Sequence, residues 1–405
     1  MKKCRRKLKD GEYFNSSNNR YEYHYTDTLG KKRVVTSSRL EPNDPQPKSK
    51  RGGKSLREKE AEILKLLQNN INIDGGRITV YETTLKFLEV LYAKKNITYN
   101  TKQSYSRICR TLDSMPLGHM AIRDVKPEHC DAWFVDMKAK YKGSAMQTDL
   151  SLVKSVFEFA VEREWISKNP MRGLTVTRDD GTTRAPLTLE KMQKFLNFVK
   201  ADKNSHHCWQ LIHVLFWTGL RASEVCGLTL DDLDFEKRVI YVNKQIQKQN
   251  GARVVTKVKT KNGIRVVPMV HEVEEALRSE IEKRHLIEEP VLYSEDGSTA
   301  YSGFVFLSTR RRMPMLRDNV EEYMRNCVTR FNERYPDDTI SYCVPHVARH
   351  TFCTNLQQNG INPVTLQNIM GHGNIKTTLN WYTGAKDLPG QVAEVDTIVT
   401  KILTP

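Results

Sequence analysis

The chain has 405 residues, 39% of them apolar, and a formal net charge of +16. That length exceeds one ordinary core, so two or three domains are expected, and so basic a balance calls for a polyanionic partner, foremost nucleic acid. No apolar run approaches the roughly 18 residues of a membrane span, and eight cysteines without one CxxC pair argue for reduced thiols in a cytosol, against a zinc or disulfide framework.

Residues 1 to 55 form the first block. Across residues 1 to 60, 17 Lys and Arg stand against 8 Asp and Glu, so more than half of the excess charge sits in the first seventh of the chain. No apolar stretch follows the basic start, so no signal peptide is expected. Tyr21, Tyr23 and Tyr25 alternate with Glu22 and His24, the period of a strand. Asp27 to Gly30 supplies a turn, and Lys31 to Thr36 returns as a second strand. A small basic sheet suits a DNA groove, which nominates Arg20, Tyr21, Tyr23, Tyr25, Lys31, Lys32 and Arg33 as contacts. Residues 41 to 54, rich in Pro, Gly and Lys, read as a linker. A linking helix within 56–77 follows, with Leu56, Ile63, Leu66 and Leu67 on its apolar side.

Residues 78 to 171 show four segments with helical apolar spacing, separated by turn residues such as PLGHM at 116 to 120. This predicts an all-α bundle of about four helices. Lys94, Lys95, Lys102 and Arg107 mark a phosphate-contacting face. Residues 172 to 186 are small, polar and Pro-containing, as a linker would be.

The third block, 187–405, alternates apolar helices with strand-like stretches and predicts a mixed α+β domain. Thr188 is placed to cap its first helix, and Asn262-Gly263 to make a tight turn. Four polar clusters stand out. TGLRASE holds Arg221 and Glu224, three apart; VKTKNGIR holds Lys259 and Lys261; PHVARH holds His346, Arg349 and His350; and GHGNIKTTLNWY holds His372 and Tyr382. The set is rich in donors and cations, with neither a carboxylate pair nor a metal-ligand cluster. Such a set suits a phosphodiester passing through a more highly charged transition state. Arg grips two phosphate oxygens in a fork, a task metals perform in carboxylate-bearing nucleases. The Tyr382 phenol supplies a nucleophile once a cationic field or base activates it. No metal, cofactor or ATP is called for, and no phosphate-binding glycine loop is present.

The order of these clusters, Arg in TGLRxSE, Lys in a KT-type hairpin, HxxRH, then GH followed by Tyr, resembles the tyrosine recombinase (phage-lambda-integrase-like) family. The first 55 residues resemble the arm-binding domain of integrases from conjugative transposons of Gram-positive bacteria, and PHVARHTFCTNL, IMGH and TTLNWY are close to that subgroup. The resemblance implies a small β-sheet arm-binding domain, a SAM-like core-binding domain and a catalytic domain of the tyrosine recombinase type. It implies that Arg221 and Arg349 grip the scissile phosphate, that His346 and His372 hydrogen-bond it, and that Tyr382 attacks it. Lys259, with Lys261 as its fallback, would protonate the leaving 5′ oxygen, and Glu224 and His350 would support the others. Gly384 departs from the family, which often has His two residues after the nucleophile. The implied protein is a bacterial cytoplasmic enzyme. It would bind double-stranded DNA at core and arm sites as a homo-oligomer, a tetramer on DNA, with an excision factor and a DNA-bending protein as possible accessories. Its tail helix (390–405), with Val392, Val395, Ile398, Val399 and Ile402 at helical spacing, would be exchanged with a neighbouring subunit. The alternatives are a type IB topoisomerase, with the same chemistry and no strand exchange, and a non-catalytic DNA-binding regulator.

Overall fold

The computed structural model describes the chain except residues 1–5, 28–29, 46–52, 69–76, 142, 178–184, 259–262, 285–288, 372–387 and 404–405. It divides into two compact units, Met1–Gly181 and Thr182–Pro405.

The first unit opens with an antiparallel sheet of three strands, β1 (Glu12–Asn15), β2 (Arg20–Thr26) and β3 (Lys32–Ser37), in that order. Sequence reading missed β1, whose four residues EYFN are too short to show a period. The pleat puts Tyr21, Tyr23 and Tyr25 on one face. That face packs on helix α1 (Leu56–Gln68), where Tyr23, Leu40, Leu56 and Ile63 form a small core with Tyr21 and Tyr25 against it. Arg57 of α1 donates from Nε to Glu12 Oε1 (2.9 Å) and from Nη2 to Oε2 (3.2 Å), tying the helix to β1.

Four longer helices and one short one follow: α2 (Val80–Lys94), α3 (Tyr99–Asp113), α4 (Pro116–His119), α5 (Pro127–Lys140) and α6 (Gly143–Glu162). Thr79 caps α2, its Oγ1 accepting from Glu82 N–H at 3.1 Å. The apolar stripes close over a second core that includes Leu112, Trp133, Val153 and Phe157.

The second unit is built around α8 (Trp209–Thr218), a helix apolar on nearly every side and therefore buried. Around it stand α7 (Leu189–Ala201), capped by Thr188, α9 (Ala222–Cys226), α10 (His271–Arg284), α11 (Arg317–Arg334), α12 (Pro345–Gln358) and α13 (Pro363–Met370). Strands β4 (Leu233–Asp234), β5 (Val239–Val242) and β8 (Arg265–Pro268) make one sheet, in the order β4-β5-β8. Strands β6 (Lys244–Gln249) and β7 (Ala252–Lys257) make a hairpin, and β9 (Leu292–Tyr293) pairs with β10 (Ala300–Tyr301). The turn expected at Asn262-Gly263 falls on Asn262, outside the described residues, and a tight turn lies at Asn250–Gly251. Both of its residues have positive φ, 49° and 85°, as a two-residue hairpin loop of matching twist requires.

The tail helix α14 (Leu388–Leu403) packs on the unit it belongs to. Its apolar stripe covers its own domain: Val395, Ile398 and Val399 enter the main core. Asp396 accepts from Arg238 Nη2 at 3.0 Å, and Glu394 accepts from Asn362 N–H (2.6 Å) and Thr365 Oγ1 (2.7 Å) at the start of α13. Among the described residues no helix is long and apolar enough to cross a membrane.

Candidate active site

One turn, strand β8 and helices α12 and α13 build the site. The turn is Gly219-Leu220-Arg221, between α8 and α9. Gly219 has φ of +62°, and a Cβ there would stand 2.5 Å from Phe352 Cδ1, so no other residue fits. The turn aims the Gly219 carbonyl at α12 and delivers Arg221 as the residue before α9. Glu224 sits one turn on. Its Oε2 accepts the Arg221 N–H at 2.9 Å, and its Oε1 accepts Arg221 Nη1 at 2.7 Å. Arg221 is therefore held at both ends while 44% of its side chain stays open to solvent.

Sequence reading missed the third member of this group. Arg265 of β8 is buried and binds the same carboxylate as a fork, Nη1 to Oε1 at 3.0 Å and Nη2 to Oε2 at 2.7 Å. Its Nε donates to Ile369 O at 2.6 Å. The strand's own alternation could have found it, because Arg265 shares the core-facing side with Val267 and needs a buried acid there. Burial opposes the charge on Glu224, but Arg265 and then Arg221 overcome it and hold the carboxyl down at about 2.

Arg349 is also buried, at 4% exposure, and faces inward from α12. Its Nη1 donates to Gly219 O at 2.6 Å and its Nη2 to Met370 O. Arg265 and Arg349 thus cap successive carbonyls at the C-terminal end of α13, where cations are favoured. Burial, then repulsion from Arg221 and Arg265, lowers the Arg349 guanidinium to about 9, so it remains charged at neutral pH. A bound anion would relieve both costs.

His346 and His350, four apart on the exposed side of α12, face each other with Nε2 atoms 3.0 Å apart. His350 therefore contacts His346, while Glu224 holds Arg221 and Arg265. Burial and the charge of Arg349 lower the His350 pKa, which favours its neutral ring. The fold brings Arg221, Glu224 and Arg349 together around one turn. Lys259, Lys261, His372 and Tyr382 lie outside the described residues. Gly371, in the left-handed conformation at φ 61°, ends α13 beside the two capped carbonyls.

Several expected DNA contacts have partners within the protein. Tyr21, Tyr23 and Tyr25 pack on the inner face of their sheet, and Tyr23 is only 8% exposed. Arg33 donates from Nε to the buried Asp27 at 3.0 Å. Arg107 forks onto Asp149, with Nη1 3.0 Å from Oδ2, and lies over the Tyr141 ring at 4.8 Å. Arg20 donates to Thr36 Oγ1 (3.4 Å) on the open face, and Lys31, Lys32, Lys94, Lys95 and Lys102 are exposed. The open face also carries Tyr13 and Val34, 53% and 52% exposed, beside His24.

Comparisons with known proteins agree along the whole chain. Residues 186–388 match the phage integrase family, residues 85–164 its N-terminal SAM-like domain, and residues 2–67 the DNA-binding domain of the Tn916 integrase. The transposase of transposon Tn916 from Enterococcus faecalis is 36% identical over 390 residues, 93% of this chain and 91% of that protein. A XerC-like tyrosine recombinase of Caldanaerobacter subterraneus subsp. tengcongensis is 26% identical over 82% of this chain and 86% of its own. Among solved structures, the Tn1549 transposon integrase in complex with a circular intermediate DNA superposes with a TM-score of 0.69 at 33% identity, covering 78% of this chain and 98% of that one.

Proposed function

The chain belongs to the phage integrase family of tyrosine recombinases, and from that premise we propose the identity and route of its reaction. It is a site-specific recombinase of a mobile element that integrates and excises it. Arg221 and Arg349 grip the scissile phosphate, with His346 and His372 donating to its other oxygens. His346 also takes the proton of the Tyr382 phenol as the phenol oxygen attacks phosphorus. The bond to the 5′ oxygen breaks, Lys259 returns a proton to that oxygen, and a 3′-phosphotyrosine remains. Its energy equals that of the lost phosphodiester, so a 5′ hydroxyl of a partner duplex reverses the step without ATP or metal. Two such exchanges pass through a Holliday junction held by a homotetramer. Residues 1–55 read arm sites with the open face of the sheet, residues 78–171 clamp core sites, and 187–405 cut. The reaction takes place in the bacterial cytoplasm, with accessory bending and excision factors choosing its direction.

The supporting observation is the frame of buried cations. Two guanidinium groups are fixed to Glu224 and to four backbone carbonyls, while Arg221 alone of the three keeps an open edge. Protein carbonyls and one carboxylate leave a positive pocket that needs no reorganisation when phosphate charge develops. The test is a nicked suicide duplex carrying an element end. The wild-type chain should form a covalent adduct in the presence of a chelator, and Tyr382→Phe should bind the duplex and form none. An adduct with Tyr382→Phe, or cleavage lost on chelation, would overturn the assignment.

A further inference from the structure

The hairpin β6–β7 and strands β9 and β10 rest on a small core of their own, Ile246, Val255, Leu292 and Phe304, closed by Tyr301, Leu307, Met313 and Leu316. One loop of this lobe has no part in the pocket. Residues 308 to 313 turn back between Leu307 and Pro314, which form an antiparallel bridge. Ser308 N–H donates to Met313 O and Arg312 N–H to Ser308 O, both at 2.9 Å. Arg253 of β7 reaches across to donate from Nε to Pro314 O at 2.9 Å. Arg312 takes φ of +52°, which long side chains rarely adopt. The loop is thus pinned from both sides, and its tip exposes Arg310, Arg311 and Arg312.

A turn of this shape would be easier with Gly or Asn at 312 and with mixed charges beside it. Instead three arginines stand together above Arg253. Among the described residues no carboxylate pairs with the three, and the charge of Arg311 adds to burial in depressing the Arg253 guanidinium. A pinned tip of forked donors without a carboxylate partner is matched by a row of anions at polymer spacing. We propose that loop 308–313 is a second DNA-backbone site, gripping phosphates apart from the cleavage pocket. Arginine suits it because its fork takes two phosphate oxygens at once. The same lobe carries β7, which ends two residues before Lys259. Anchoring the lobe on the duplex would therefore also anchor the root of that lysine segment. The proposal rests on the recombinase reading above.

The experiment is the salt dependence of binding by the full chain to an element-end core duplex. Each engaged phosphate contributes a slope of about −0.9 in log K against log salt. The triple change Arg310→Ala, Arg311→Ala, Arg312→Ala should flatten the slope by about 2 to 3. Between 50 and 200 mM salt each lost contact should shrink the affinity ratio roughly 3- to 4-fold. The triple change to Lys should restore most of the slope, because charge remains. A wild-type slope in the alanine variant, or a lysine variant that behaves like the alanine one, would overturn the site. Wild-type failure to bind the duplex at all would instead bring down the recombinase reading.

Discussion

Arginine does two kinds of work in this molecule, and the contrast between the first sheet and the catalytic unit shows what separates them. In the catalytic unit Arg265 and Arg349 are buried and bind Glu224 and main-chain carbonyls, and of the three arginines only Arg221 is left half open. In the sheet of β1 to β3, Arg20 and Lys32 lie on the open face, opposite a core that holds the tyrosines. The first arrangement spends folding energy to fix charge at one point. The second leaves charge mobile and exposed, where it adds affinity for a polyanion without choosing an atom. Stability and function should therefore be inseparable in one region and separable in the other.

The largest effect should come from Arg349. Arg349→Ala removes the proposed phosphate donor and leaves Gly219 O and Met370 O without that guanidinium. Suicide-substrate cleavage should fall about 100- to 1000-fold, the usual cost of one preorganised donor. Arg349→Lys should remain far below wild type, because one ammonium cannot reach both carbonyls and a phosphate. Cleavage within about 10-fold of wild type in the lysine chain would show that Arg349 is only a cap.

Glu224 ranks next. Glu224→Gln keeps the shape and removes the charge that neutralises two guanidinium groups. Breaking a buried ion pair from one side costs about 3 to 5 kcal/mol, and chemical denaturation should show it. The pH dependence has a definite sign. The carboxyl moves from its ordinary 4.5 to about 2 on folding. Its contribution is complete above 4.5 and is lost as pH falls toward 2, an amount of about 3 kcal/mol. The Gln variant should lack that acid limb. An unchanged loss of stability between pH 4.5 and 2 would assign the limb to other carboxylates.

The same contrast explains what was legible in the sequence. In the catalytic unit, chemistry and spacing coincide. Arg221 and Glu224 at three apart on a short helix must meet, and a Pro before HVARH starts a helix where Arg349 turns inward. Arg265 was hidden because its partner lies 41 residues away, and only burial reveals the pairing. In the sheet, the period of Tyr21, Tyr23 and Tyr25 gave the strand, but a period of two does not say which face is wet. That depended on β1 and α1, whose packing against β2 is tertiary. The helices of 78 to 171 announced themselves by period, whereas Arg107 looked like any surface cation until Asp149 was found beneath it. The tail stripe was equally visible, but which surface covers it is a property of the folded domain.

Two smaller effects follow for the sheet. Tyr23→Ala should destabilise the N-terminal region by about 3 kcal/mol, in the range for a truncated core aromatic, and reduce arm-site binding only through unfolding. Tyr13→Ala, on the open face, should leave the melting transition within about 1 °C and still weaken arm-site binding several-fold. Reversed outcomes would put the tyrosine stripe on DNA after all.

The smallest effect distinguishes the two roles of basic residues within one helical bundle. Lys94 and Lys95 are exposed at the end of α2, with no buried acid to hold. Replacing either by Ala should leave stability within about 0.5 kcal/mol and reduce the salt slope for core-site binding by about 1. Arg107→Ala should do the opposite. It strands Asp149, whose side chain is fully buried, so stability should fall by about 2 kcal/mol, less than for a wholly buried pair because Arg107 itself is 31% exposed. The double change Arg107→Ala with Asp149→Ala should recover part of that loss, since the carboxylate no longer sits without a partner. If Arg107→Ala instead flattened the salt slope with no change in stability, the guanidinium would be a phosphate ligand that merely rests on Asp149 between encounters.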